Sequence, residues 1–203
     1  MPDEHFVTAT LYEYIEPLDR GERYEDLLDE VLTEHGLGEI CGGGSMMSDS
    51  FGIEYVDIEI QLTDLQRGLP IIVDTLESRG APIGSLLRYS LDGEDQMREF
   101  GVAECVAIVL DGTTLPDEVY ESSDINDMIS EMVDAIEDAG ELRSWWEGPT
   151  DTVLYFFGHD AEQLWSVLQP VVESYDRCQN ARIILRHGHD KLNPRSIQIP
   201  RDS

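Results

Sequence analysis

The elements predicted from this sequence of 203 residues follow the same order twice. In the first half, strands are predicted over 5–15, 38–47, 53–62 and 82–90, and helices over 24–35 and 64–79. In the second half, strands are predicted over 104–110, 141–147, 151–157 and 181–186, and helices over 123–139 and 160–175. Ser123 or Asp124 is expected to cap the first of these helices. A duplicated β-α-β-β-α-β unit is the simplest explanation.

Identical residues at matching positions of the two halves support the duplication. The recurring groups are Gly38-Glu39 with Gly140-Glu141, Asp64 with Asp160, Glu77-Ser78 with Glu173-Ser174, and Leu87-Arg88 with Leu185-Arg186. Their offsets drift between 96 and 102 residues, as expected if the connecting loops differ in length.

A unit of this order is typical of the ferredoxin-like split βαβ fold, an antiparallel sheet with both helices on one face. We therefore predict an α+β protein of tandem duplicated ferredoxin-like (βαββαβ) units, with the first unit over 1–92 and the second over 98–190. Residues 191–203 are predicted to form a C-terminal basic tail, extended because of Pro194 and Pro200 and lying on the acidic body.

The chain is strongly acidic, with 43 Asp and Glu residues against 13 Lys and Arg residues and a net charge of −30. The acidic residues are spread evenly over both halves, which favours solvated surfaces and adaptation to salt. Such a charge repels nucleic acid and anionic membranes. An acidic inhibitor, or a nucleic-acid mimic that binds a basic protein, stays an alternative and would need its carboxylates on one face.

The cysteines and the first residues bear on the compartment. Cys41, Cys105 and Cys178 lie in apolar or strand-like segments without a Cys-x-x-Cys pair, and are predicted to be buried hydrophobic residues in a reducing compartment. The segment Met1-Pro-Asp-Glu-His-Phe lacks the basic and apolar regions of a secretory signal. No apolar run approaches the roughly 20 residues that span a bilayer. We therefore expect a cytoplasmic protein.

Three consecutive glycines, Gly42, Gly43 and Gly44, lie inside the predicted strand 38–47. Glycine weakens a strand and marks a bulge or the close approach of a ligand or another backbone. The offset of 102 aligns the last two glycines with Trp145 and Trp146, which predicts an inter-repeat seam where the indoles pack against bare backbone. A ligand-approach site is the alternative. A phosphate loop is disfavoured, because the glycines lead into a strand and no lysine follows.

Histidines offer the one candidate for metal chemistry. Gly-His-Asp occurs at 158–160 and at 188–190, so His159, His187 and His189 are candidate ligands. A zinc site needs three or four such ligands, and the competing interpretation is a strand end and an exposed loop. No nucleophile elbow and no cysteine beside a histidine occurs, so we assign no catalytic residue and expect no cofactor.

Taken together, these features favour a non-catalytic binding or regulatory protein built from two ferredoxin-like repeats. It would contact a protein partner or a small ligand, rather than nucleic acid or a membrane, through a sheet face or the inter-repeat cleft. Two alternatives stay open: a small metal-dependent enzyme centred on His159, His187 and His189, and an acidic inhibitor or mimic. The sequence does not determine the oligomeric state.

Overall fold

The computed structural model of the protein describes residues 4–49, 51–122, 124–189 and 193–200. This part of the chain divides into two compact units, one formed by residues up to 49 together with 53–102, and the other by 51 and 52 together with residues from 103 onward. Each unit has its own five-stranded sheet and its own hydrophobic core. Among the helices described, none is both long and apolar enough to span a membrane.

The first unit contains five strands in the spatial order β2-β3-β1-β4-β5. These are β1 His5–Leu11, β2 Gly38–Ser48, β3 Gly52–Leu62, β4 Ser85–Leu91 and β5 Glu94–Phe100. The helices are α1 Pro17–Arg20, α2 Asp26–Glu34 and α3 Leu65–Ser78, and a π-helical turn over Gly21–Glu25 joins the first two.

The second unit repeats this arrangement, with the order β10-β9-β6-β8-β7. Its strands are β6 Glu104–Asp111, β7 Gly140–Glu147, β8 Asp151–Gly158, β9 Arg182–Leu185 and β10 Arg195–Gln198. Its helices are α4 Asp117–Ser122, α5 Ile125–Ala135 and α6 Ala161–Ser174, followed by a 3₁₀ turn over Asp176–Cys178. When β6 to β10 are matched with β1 to β5, the two orders are identical, so the predicted tandem ferredoxin-like fold is confirmed.

Both units carry a fifth strand that the sequence analysis did not predict. Residues 94–100, which span the predicted boundary between the units, form β5 and pair with β4. The two strands are joined through Asp92 and Gly93, whose φ angles are 54° and 81°, as in the tight turns that favour Asp-Gly. Residues 195–198 of the predicted basic tail form β10 beside β9. Lys191 and Arg201 lie outside the described residues.

The cores follow the alternation of the strands. In β3 the side chains of Val56, Ile58, Ile60 and Leu62 are buried together with residues of α2 and α3, so both helices cover the same sheet face. In β8 every residue from Val153 to Phe157 is buried, which matches its unbroken apolar sequence. Cys105 and Cys178 are buried as predicted, but Cys41 is exposed because it lies in the edge strand β2.

Residues shared by the two repeats have the same structural roles. Asp64 caps α3 by accepting a hydrogen bond from the backbone N–H of Arg67 over 3.0 Å. Asp160 caps α6 in the same way, with the backbone N–H of Glu162 at 2.8 Å. Such caps satisfy helix N–H groups that have no partner within the helix. Matching Asp64 with Asp160 therefore aligns α3 with α6 at an offset of 96 residues.

Two glycines and two serines that recur at matching positions of the repeats also have the same structural roles in both units. A Cβ atom on Gly38 would lie 2.0 Å from the carbonyl oxygen of Gln61, and one on Gly140 would lie 2.3 Å from that of Phe157. Only glycine permits this approach between the second and third strands. At the other end of the motif, Ser78 donates a hydrogen bond to the carbonyl oxygen three residues earlier, and Ser174 does the same.

One of the residue matches between the two halves, that of Leu87-Arg88 with Leu185-Arg186, does not agree with the strand register. In the first unit Val7 pairs with Tyr89, and at the equivalent place in β6 Val106 pairs with Leu185. Tyr89 therefore corresponds to Leu185, and the similarity of Leu87-Arg88 to Leu185-Arg186 is displaced by two residues. A shift of two keeps each side chain on the same sheet face, so the burial pattern alone does not reveal it.

Candidate functional site

A groove of about 720 Å³ lies in the first unit, beside the N-terminal half of α3 and the adjoining ends of β1, β4 and β5. Its apolar lining consists of Leu65, Leu69, Pro70, Tyr89 and Leu91. Its polar lining consists of His5, Thr63, Asp64, Gln66 and Arg98. Small-molecule sites typically have volumes of roughly 300–1,000 Å³ and combine an apolar wall with a few polar groups.

The strand register brings the lining residues of β4 and β5 to one face. Tyr89 lies opposite Val7 of β1, a buried residue of the core. Arg98 lies opposite Leu87, which is buried in the same core. Because paired residues share a sheet face, Tyr89 and Arg98 are both on the face that carries the helices. The N-cap at Asp64 fixes where α3 begins, and so sets Leu65 and Leu69 against these strands.

Arg98 supplies the positive charge of the groove. Its side chain is exposed, and within the described part of the chain it forms no hydrogen bond or ion pair. Asp64, the acidic residue of the lining, is already engaged as the cap of α3. In a chain with a net charge of −30, an arginine without a carboxylate partner beside apolar side chains suits an anionic group of a ligand.

The opposite face of the first sheet carries a chain of polar contacts across three strands. Arg88 of β4 donates a hydrogen bond to the hydroxyl of Thr10 in β1 over 2.6 Å. Thr10 in turn donates to the carboxylate of Asp57 in β3 over 2.5 Å. These side chains satisfy one another, so their arrangement has a structural explanation without a ligand.

The predicted glycine site lies in the edge strand β2. A Cβ atom on Gly42 would lie 2.7 Å from a carboxylate oxygen of Glu59, and one on Gly43 would lie 2.7 Å from the carbonyl oxygen of Asp57 and 2.9 Å from Nη2 of Arg20. A Cβ atom on Gly44 would have no such neighbour within 4 Å. Within the first unit, Gly42 and Gly43 therefore make room for neighbouring side chains and for the adjacent strand.

The two tryptophans predicted to face these glycines belong to β7. Trp145 is 63% exposed, and Trp146 is partly buried, with its indole 2.3 Å from where a Cβ atom on Gly148 would lie. The absence of a side chain at Gly148 thus leaves room for the indole of Trp146 within the second unit. The inter-repeat seam between these tryptophans and Gly42, Gly43 and Gly44 stays a prediction, as does binding in the inter-repeat cleft.

The three candidate metal ligands have different surroundings. His159 is exposed next to the N-cap of α6, and His189 is buried at 8% exposure. The ring of His187 packs against those of Phe51 and Tyr155, at centroid distances of 4.9 and 5.5 Å. Across the described ranges, no three His, Cys, Asp or Glu side chains are grouped so as to hold a metal ion. The metal-dependent alternative gains no support from this arrangement.

His187 also has a perturbed protonation equilibrium. Burial, reinforced by the positive charge of Arg182, lowers its pKa from 6.5 to about 4, since both effects disfavour the imidazolium form. The ring is therefore neutral near pH 7.

The groove was missed by sequence reasoning because its residues come from four separate elements. Arg98 in particular lies in β5, which the sequence analysis did not recognise as a strand. The Asp92-Gly93 turn was the available signal, since it predicts a hairpin and places Arg98 on the strand that returns along β4.

The sequence matches no protein-family model and no curated protein. Among solved structures, the regulatory subunit of aspartate kinase from Thermus flavus is 10% identical, with 84% of this chain and 92% of that chain covered and a TM-score of 0.27. An unknown protein from Galdieria sulphuraria is 10% identical, with coverages of 92% and 98% and a TM-score of 0.29.

A putative glycine cleavage system transcriptional repressor is also 10% identical, with coverages of 96% of this chain and 95% of that chain and a TM-score of 0.27. TM-scores this low support no conclusion about the present protein. Its fold assignment rests on its own strand order, and its function must be argued from its own residues.

Proposed function

We propose that this protein is a non-catalytic regulatory protein that binds a small amphipathic organic molecule in the groove beside α3. The observation that carries this proposal is the composition of the groove. An apolar wall formed by Leu65, Leu69 and Tyr89 adjoins the guanidinium of Arg98, which pairs with no carboxylate among the described residues. This combination is typical of sites that bury the body of a ligand and orient it by one polar group.

The hydroxyl of Thr63 and the carboxylate of Asp64 are already engaged, which argues against covalent catalysis in the groove. The hydroxyl of Thr63 is hydrogen-bonded to the carbonyl oxygens of Gly36 and Leu37, at 3.3 and 3.2 Å. Asp64 is engaged as a helix cap, and the ten lining residues include no serine, cysteine or lysine. A nucleophile beside a base, which covalent catalysis requires, is therefore not offered by the lining.

Ligand binding here would act on the exposed hairpin of β4 and β5. Leu91, at the end of β4, lines the groove and is 48% exposed. A ligand that covers it would link α3 to the hairpin and remove apolar area from water, at about 25 cal/mol per Å². The state of the hairpin would then report whether the groove is occupied, which is the regulatory element of the proposal.

The second unit suggests the variant that tests this proposal. Leu69 lies five residues after the cap Asp64, and Trp165 lies five residues after the cap Asp160. Trp165 is 5% exposed and belongs to the second core. Leu69→Trp should therefore be compatible with the fold while filling the groove.

The experiment is calorimetric titration with 3-phenylpropanoate, octanoate, 3-phenylpropanamide and 3-phenylpropylamine. Binding by the native protein is expected for at least one of these compounds, with loss of binding in Leu69→Trp. Leu18→Trp is the matched control, because Leu18 is 75% exposed on α1 and does not line the groove. Equal binding by the native protein and Leu69→Trp, or no binding of any compound, would contradict the proposal.

A further inference from the structure

In the second unit, different residue types lie at the positions that line the groove in the first unit. His5 pairs with Leu62, and Glu104 pairs with Gly158. Leu62 and Gly158 each lie two residues before the cap aspartate of the following helix. Glu104 is therefore the counterpart of His5.

Two further counterparts follow from the same alignment. Gln66 and Glu162 each lie two residues after the cap aspartate, so Glu162 replaces Gln66. In the edge strands, Gln96 pairs with Tyr89 and Arg195 pairs with Leu185, so Arg195 replaces Gln96.

These replacements form an ion-pair network in the second unit. Arg186 contacts Glu104 at 3.2 Å and Glu162 at 3.4 Å. Arg195 contacts the other carboxylate oxygen of Glu162 at 3.0 Å. Glu104 also accepts a hydrogen bond from the backbone N–H of Ala161 over 2.8 Å. The second unit thus supplies both the carboxylates and the guanidinium groups at this place.

The first unit lacks both carboxylates of this network, and its groove contains a guanidinium group from another position, that of Arg98. Its residues at the two glutamate positions are His5 and Gln66, which carry no negative charge. Arg98 lies two residues from Gln96 along β5 and on the same face of the sheet, and among the described residues no carboxylate pairs with it. A charged arginine is expected to bind an anion when one fits beside it.

We propose that the ligand of the groove is a small carboxylate with an apolar body. Its carboxylate binds Arg98 and takes the place that the side chain of Glu162 occupies in the second unit, while its body lies against Leu65, Leu69 and Tyr89. This inference rests on the proposed function of the groove. A single negative charge suits the site better than a dianion, because the chain already carries a net charge of −30 that repels each added negative charge.

The test compares an acid with the amide of the same shape. Calorimetric titration of the native protein with 3-phenylpropanoate should give a Kd at least about tenfold lower than titration with 3-phenylpropanamide, since a hydrogen bond to a charged group is the stronger one. Arg98→Gln should raise the Kd of the acid to that of the amide. Arg67→Gln is the matched control, because Arg67 is exposed in the first turn of α3 and does not line the groove.

A second variant places in the first unit the residue type that the second unit has at the matching position, Glu162. Gln66→Glu adds an internal carboxylate that can pair with Arg98, so it should weaken acid binding at least about tenfold and weaken amide binding much less. Gln61→Glu makes the same change in β3 outside the groove, and is expected to weaken acid binding by less than about twofold, since a charge that does not line the groove is largely screened by salt.

The outcomes separate this inference from the proposed function. Equal affinity for acid and amide in the native protein, with both lost in Leu69→Trp, would overturn the carboxylate inference and leave the groove as a ligand site. An acid preference that survives Arg98→Gln would also overturn it. Absence of binding for all four compounds of the calorimetric experiment would contradict the proposed function and with it the inference.

Discussion

The guanidinium group of Arg20 donates a hydrogen bond to the carbonyl oxygen of Gly44 over 3.0 Å. The same group forms an ion pair with Glu25 at 2.6 Å, so it links the π-helical turn to the edge strand β2. Its Nη2 atom lies 2.9 Å from where a Cβ atom on Gly43 would be. The absence of a side chain at Gly43 therefore leaves room for the side chain of Arg20 to lie against β2. A contact within the first unit thus explains this glycine.

The two neighbouring glycines should respond differently to substitution. Gly43→Ala forces a Cβ atom against Arg20 and the backbone of Asp57, and is expected to lower the free energy of unfolding by about 1–3 kcal/mol, as other overpacked contacts do. Gly44→Ala meets no atom within 4 Å and is expected to stay within about 0.5 kcal/mol of the native protein. Urea unfolding of both variants measures the difference.

The predicted inter-repeat seam makes a different forecast for the same variants. If the indoles packed against these glycines, Gly44→Ala would also destabilise, and the effect would depend on Trp145. A double-mutant cycle between Gly43→Val and Trp145→Ala should show coupling of about 0.5–3 kcal/mol for such a contact. The Arg20 explanation predicts that coupling of this size appears instead between Gly43→Ala and Arg20→Ala.

Stability should fall as the solution is acidified from about pH 6.5 to pH 4. The pKa of His187 is lowered from 6.5 to about 4 by burial and by Arg182, so in this interval the unfolded chain binds a proton that the folded protein does not. The stabilisation is complete above the unfolded pKa and is lost as pH falls toward the folded one. One such proton changes the free energy of unfolding by about 1.4 kcal/mol per pH unit.

His187→Phe keeps an aromatic ring beside Phe51 and Tyr155 but removes the titrating group. Unfolding free energies measured between pH 4 and pH 7 should therefore have a shallower slope in the variant than in the native protein. Parallel curves for the two proteins would show that His187 does not titrate differently on unfolding.

Moderate salt should stabilise the protein. The chain has 43 acidic and 13 basic residues. Monovalent ions screen repulsion between exposed charges beyond a Debye length of about 10 Å at 0.1 M. The melting temperature is expected to rise as sodium chloride is added from low concentration. A melting temperature that does not change over this range would mean that local pairing already compensates the charge.

The strand β10 should contribute to the stability of the second unit. Ile197 packs against the second core, and Ile197→Ala is expected to cost about 1–2 kcal/mol, less than the roughly 2–5 of a fully buried isoleucine. Ser196→Ala is the matched control, because Ser196 is exposed in the same strand. Equal unfolding free energies for the two variants would show that β10 contributes little.

The order of the elements was predictable because each repeat contains clear periodic patterns and caps. The alternation in β3 and the cap aspartates Asp64 and Asp160 gave both the period and the starting points of α3 and α6. The start of α1 was missed, because Gly21 interrupts the helical pattern after Pro17 and the chain continues there through a π-helical turn. Proline at the first helical position was the available signal.

The groove was not predictable from these patterns. Its Tyr89 and Leu91 are brought to Arg98 by strand register, and register depends on the packing of the whole sheet. The polar sequence of β5, Glu94 to Phe100, gave no hydrophobic alternation by which to recognise the strand. The exposure of Cys41 has a similar cause, because nothing in its apolar surroundings shows that β2 is an edge strand.

The most direct test of the groove as a ligand site is a methyl NMR titration of the native protein with 3-phenylpropanoate. The account predicts saturable chemical-shift changes that are largest at the methyl groups of Leu65, Leu69 and Leu91, which line the groove, and that are absent in Leu69→Trp at the remaining two leucines. Saturable changes centred on residues outside the groove, or no changes at these leucines, would contradict it.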